Sequence, residues 1–105
     1  MTESDELRIV RNVADQVERS FDVDVASANN IMDAKQHLHT TLVQRIVELL
    51  TKNPERLMSI LYRIDVRESL VHEIFSKALP PEVPYLLADA IIERQMQKVQ
   101  SREQR

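Results

Sequence analysis

Between positions 4 and 21 the apolar residues Leu7, Val10, Ala14, Val17 and Phe21 recur at alternating spacings of three and four, with Arg8, Arg11, Asp15, Glu18 and Arg19 between them. That is the seam of an amphipathic helix, because such positions line one face at 3.6 residues per turn. The seam predicts a helix over 4–20, with Ser4 as its cap and Asp5 and Glu6 complementing the positive end of the helix dipole. Two heptads are too few for a stable isolated coiled coil, so this helix requires either the rest of the chain or a second chain.

The pattern then changes. Phe21-Asp22-Val23-Asp24-Val25 alternates apolar and acidic residues, which fits a short strand or an extended connector whose apolar members pack onto helices. No second strand is evident, so the connector is the expected form, with pairing between chains as its rival. The loop 26–30 ends in a candidate cap at Asn30. A helix over 31–52 follows, with Leu38, Leu42, Ile46, Leu49 and Leu50 on one face and Val43 and Val47 widening it.

Asn53-Pro54-Glu55 is a break and restart: asparagine caps, proline suits the first helical position, and glutamate suits the dipole. A helix over 54–64 carries Leu57, Met58, Ile60, Leu61 and Ile64. Asp65-Val66-Arg67-Glu68 reads as a capping box with Asp65 as the cap, predicting a new helix over 66–78 with Leu70, Val71, Ile74 and Phe75 inward. A continuous helix across Asp65 is the alternative. Pro80, Pro81 and Pro84 end that segment, and a last helix is expected over 83–99 through Leu87, Ala88, Ile91, Ile92 and Met96, leaving 100–105 as a polar tail.

The predicted fold class is therefore all-α: a single domain over 1–105 forming an irregular or orthogonal bundle of about five helices. It divides into an N-terminal helix (1–20), a connector (21–30), a helical core (31–99) and the tail. Composition agrees. The 105 residues suffice for one modest core, and 43% hydrophobic with 30% charged residues is a globular balance. The chain has no glycine and no cysteine. Phosphate-binding loops, dinucleotide turns and nucleophile elbows need glycine, so those motifs are excluded. Lack of cysteine removes disulfides, thiolate nucleophiles and cysteine-based zinc sites.

A net charge of -3 opposes nucleic-acid binding, which relies on a concentrated basic face. No apolar run approaches the length needed to cross a bilayer, and the acidic start Met-Thr-Glu-Ser-Asp-Glu is the wrong sign for a secretory leader. The expected location is cytoplasmic.

Over residues 53–98, Leu61-Tyr62-Arg63-Ile64-Asp65-Val66, followed by a short helix and Ile91-Ile92-Glu93-Arg94-Gln95, resembles a group of small bacterial helical proteins without assigned activity. The resemblance implies a bacterial, cytoplasmic protein and supplies no catalytic residue, cofactor or partner.

Chemistry-bearing residues are sparse. His37 and His39 point about 200° apart on a regular helix and cannot share a metal ion. Asp33 and His37, with His72 from another helix, are the remaining metal candidates, against ordinary surface histidines. Tyr62, Arg63, Asp65 and Arg67 surround the helical corner, where guanidinium groups could receive a carboxylate, or simply pair with nearby acids. A helix-turn-helix reader over 66–78 would need a basic face, yet Arg67 and Lys77 are offset by Glu68 and Glu73. No acid/base pair and no activated serine stands out, so neither catalysis nor a cofactor is expected.

The preferred function is a non-enzymatic protein-protein interaction module, self-associating through Leu7, Val10, Val17 and Phe21 as a homo-oligomer, with a dimer the commonest form. The alternatives are a transcriptional regulator or nucleic-acid-associated protein and a metal-dependent protein. Packing of the first and last helices together within one chain competes with dimerisation as the use of the seam.

Overall fold

The periodic segments become five helices in a computed structural model, which describes residues 5–25 and 31–103: α1 (Asp5–Phe21), α2 (Ile31–Lys52), α3 (Pro54–Arg63), α4 (Glu68–Lys77) and α5 (Val83–Glu103). No strand occurs among the described residues, so the fold is all-α. The caps expected at Ser4 and Asn30 lie outside those residues. Phe21 closes α1, and Val23 and Val25 are half-buried connector residues packed against the core.

The three long helices α1, α2 and α5 pack against one another and enclose the core. Its members are Val10, Val13, Val17 and Phe21 from α1, Leu38, Leu42, Ile46 and Leu49 from α2, and Leu87, Ile91 and Val99 from α5. Each such side chain contributes about 1.5–3 kcal/mol when fully removed from water. The positions 87, 91, 95 and 99 follow the i,i+4 row of a helix face, and three are aliphatic. The fourth, Gln95, is 3% exposed and is the one buried polar residue among those described.

Leu7, Val10, Val17 and Phe21 are all buried inside the single chain, at 7%, 2%, 0% and 0% exposure. The seam of α1 is thus filled by α2 and α5, the arrangement that competed with dimerisation. A partner using these side chains would have to displace one of those helices.

The shorter helices lie outside this layer, α3 on α2 and α4 on α5. Asn53 caps α3 as expected, its side-chain oxygen accepting from the Arg56 N–H at 3.2 Å, with Pro54 in the first turn. The chain does break at Asp65, but Asp65 is not the cap of α4. That position belongs to Arg67, which makes no side-chain capping bond. Asp65 instead terminates α3: it has φ 65°, its N–H donates to the Tyr62 oxygen, and the Val66 N–H donates to the Leu61 oxygen, both at 3.1 Å. This is the Schellman arrangement, which places a left-handed residue just beyond the helix. Val66 completes it by burying its side chain.

α1 ends in the same way. Asp22 has φ 56° and the Val23 N–H donates to the Glu18 oxygen at 3.3 Å. Glycine is the usual residue at such a position, and aspartate tolerates it better than most others. A glycine-free chain has used Asp-Val twice for the same turn.

Two further boundaries differ from the periodicity. α5 continues to Glu103, since 100–105 contains no proline or glycine to stop it. A short 3-10 turn over Pro80–Glu82 precedes α5. Inward placement of Leu70 and Phe75 also fails: they are 37% and 42% exposed. α4 buries Val71 and Ile74, and residues one position outside that pair are rotated about 70° to either side of its contact stripe.

Candidate functional site

α3 and α4 meet at the Asp65 turn and enclose a groove of about 390 Å³. Met58 and Tyr62, one turn apart on α3, face Val71 and Phe75 across it, while Glu68 and His72 stand on its rim. Met58 is 46% exposed and Tyr62 77% exposed. The His72 ring lies 3.4 Å from the Ser76 hydroxyl, one helical turn away. Three of the four aromatic residues, Tyr62, Phe75 and Tyr85, are exposed, whereas the core takes the single aromatic Phe21. Leu79 and Leu86 add exposed apolar surface around the start of α5.

A second concavity, of about 580 Å³, opens between α1, α2 and α5. Val10, Leu38, Ile92 and Met96 line its depth, and His39 and Asp89 line its edge with Nε2 and Oδ1 2.9 Å apart. Tyr85 stacks on the imidazole at 6.2 Å between ring centroids. An imidazole held by a carboxylate can take a proton from a substrate, but no hydroxyl or thiol lines this cavity to serve as a nucleophile. The neighbouring Lys35–Glu6 bridge, at 2.8 Å, is exposed and contributes little.

The expected corner divides. Tyr62 joins the α3–α4 groove, Arg67 lines a separate cleft against α5 together with Asp65, and Arg63 faces the opposite side of α3. Asp65 is engaged by Arg94, a residue that sequence spacing did not connect to it. Asp33, His37 and His72 do not converge: no three His, Asp or Glu side chains among the described residues are grouped to hold a metal ion. No helix among those residues is long and apolar enough to cross a membrane. On α4, the basic and acidic residues remain interleaved, with Lys77 3.9 Å from Glu73.

The groove and the His39–Asp89 edge were not legible in sequence for different reasons. Met58 and Phe75 carried a signal, an apolar residue at the margin of a helical stripe, but periodicity placed Phe75 inward and counted Met58 with the other apolar residues of its helix. His39, Tyr85 and Asp89 carried none, since their meeting depends on how α2 crosses α5. Together these features define an all-α protein with an apolar interhelical groove. Comparisons with protein families, curated proteins and solved structures each found no match. None of the three supports the resemblance expected for residues 53–98.

Proposed function

We propose that the chain is a non-enzymatic interaction module that binds protein, in the first instance a second copy of itself, through the face formed by α3 and α4. The carrying observation is the placement of its aromatics: Tyr62 and Phe75 flank an open groove, whereas Phe21 is the one aromatic in an otherwise aliphatic core. Aromatic and methionine side chains concentrate at protein interfaces, the rings because they bury large area at low entropy cost and the thioether because it adapts to an irregular surface. A two-fold arrangement would place the α3–α4 face of one copy on that of the other and cover both grooves at once.

The interface expected at Leu7, Val10, Val17 and Phe21 now has one route open to it, exchange of α1 between two copies, which would preserve every core contact. Substitution separates the two geometries. Molar mass by light scattering over a concentration series should show an association that Met58→Lys with Tyr62→Lys abolishes while helical content is unchanged. Val10→Asp with Val17→Asp should unfold the chain instead. A strict monomer at millimolar concentration would remove self-association, and a soluble folded monomer from the α1 variant would return the interface to that helix.

A further inference from the structure

The concavity between α1, α2 and α5 shares no lining residue with the α3–α4 groove, so a ligand there is independent of self-association. Its volume of about 580 Å³ is that of a small-molecule site, which spans roughly 300–1,000 Å³. Val10 and Leu38 form its floor at 2% and 1% exposure. The half-buried Ile92 and Met96, one turn apart on α5, form an apolar wall that solvent reaches.

Around that wall the charge is one-sided. Asp89 and Glu93 lie one turn apart on the same stripe of α5, and both line the cavity. Glu93 is exposed and makes no hydrogen bond or ion pair with the described residues. Among those residues the one lysine or arginine of the lining is Lys35, which Glu6 already bridges at 2.8 Å. The other polar side chains of the edge, Gln97 and Gln100, are uncharged.

Asp89 is bonded but not neutralised. A carboxylate only accepts, so His39 Nε2 carries the proton it shares with Asp89 Oδ1, and an imidazole protonated on that nitrogen alone brings no charge. The second nitrogen of His39, Nδ1, and the second oxygen of Asp89, Oδ2, have no partner among the described residues. Neither is sealed from solvent, so both are open acceptors. Tyr85 stacks on the imidazole and holds it against α5.

We propose that this cavity binds a small organic cation, a primary amine with an apolar body, whose ammonium meets Glu93, Asp89 and His39 while its chain lies along Ile92 and Met96. An ammonium has three N–H donors, one for each of these acceptors, and its charge complements two carboxylates that no cation of the protein neutralises. An anion of the same shape would face both carboxylates, and a neutral molecule would leave their charge unmet.

The test uses the full chain at about pH 8, where a free imidazole is neutral and an alkylamine is protonated. Hexylammonium, hexanol and hexanoate are the probes at matched ionic strength, followed through the Ile92 and Met96 methyl groups by NMR. Saturable shifts are expected with millimolar hexylammonium, with hexanol about tenfold weaker and hexanoate weaker still. Glu93→Gln should weaken amine binding about tenfold, the effect of one charge-assisted hydrogen bond, and Asp89→Asn should do the same. Glu73→Gln removes the same charge from α4 and should leave the affinity unchanged; Glu73 and Glu93 are both exposed, so neither variant disturbs the core. The proposal is overturned by hexanol or hexanoate binding as tightly as the amine, by absence of saturation at tens of millimolar amine, by unchanged affinity in Glu93→Gln, or by an equal loss in Glu73→Gln.

Discussion

Arg94 holds Asp65 twice, its Nε donating to the main-chain oxygen and its Nη2 to the carboxylate, each at 3.0 Å. The contact spans 29 positions and joins α5 to the C-terminal turn of α3, where unpaired carbonyls and the negative end of the helix dipole favour a cation. Lys98 reaches the adjacent Ile64 carbonyl from the next turn of α5. At the end of α1, Arg45 of α2 donates to the Phe21 oxygen at 2.8 Å, so both left-handed turns are clamped by an arginine from another helix.

Arg94→Ala should therefore destabilise the fold by about 1–2 kcal/mol, the sum of two partly exposed hydrogen bonds. Urea unfolding of Arg94→Ala, Asp65→Asn and the double variant gives the coupling, expected at about 0.5–1 kcal/mol for residues in direct contact. Strict additivity would mean the carboxylate contributes nothing beyond the main-chain contact.

The two positive-φ aspartates should respond differently to glycine. Asp22→Gly is expected to stabilise by about 0.5 kcal/mol, relief of the left-handed conformation exceeding the added freedom of the unfolded chain. Asp65→Gly removes the carboxylate that Arg94 grips and should be close to neutral. Thermal melts of the two variants side by side measure the difference, and an equal gain in both would assign no stabilising role to the Asp65 side chain.

Asn53→Ala should cost about 1 kcal/mol, the usual loss when a side-chain cap is removed from a helix start. Asn53→Asp should retain most of it, because a carboxylate accepts the same Arg56 N–H and suits the dipole. Chemical denaturation midpoints rank the three proteins, and a loss in the aspartate variant as large as in alanine would remove capping as the cause.

Core and groove should separate cleanly. Leu42 is fully buried, and Leu42→Ala should cost about 2–5 kcal/mol through lost burial and the cavity left behind. Tyr62→Ala, at a residue 77% exposed, should stay within about 0.5 kcal/mol of the parent while weakening self-association. Calorimetry together with light scattering reads both, and a Tyr62→Ala protein that keeps its oligomeric mass would argue against the α3–α4 face as the contact.

Helix positions were legible in the sequence because each reports a local cause. Leu38, Leu42, Ile46 and Leu49 repeat at helical spacing, Asn53-Pro54-Glu55 carries its own cap and first-turn chemistry, and Pro80, before which Leu79 is extended, marks the end of α4, while Pro84 sits in the first turn of α5. Asp65 was legible as a break but not as a particular kind of break. Asp-Val-Arg-Glu satisfies the pattern of an N-cap, and the positive φ that makes Asp65 the end of α3 leaves no mark distinguishing it from one. Leu70 and Phe75 fail for a related reason: periodicity gives the direction of an apolar face, not the width of the surface that will cover it.

The sequence by itself determined the helices, their order, their approximate ends and the absence of glycine-dependent chemistry, since all of these follow from interactions within about four residues. Tertiary packing decided which apolar stripe is consumed. The seam of α1 closes against α2 and α5, the stripe of α4 is left half open, and Gln95 is carried into a buried row beside Arg63, Arg94 and Lys98. Those outcomes depend on how helices separated by tens of residues cross one another, and spacing along the chain contains no record of that crossing.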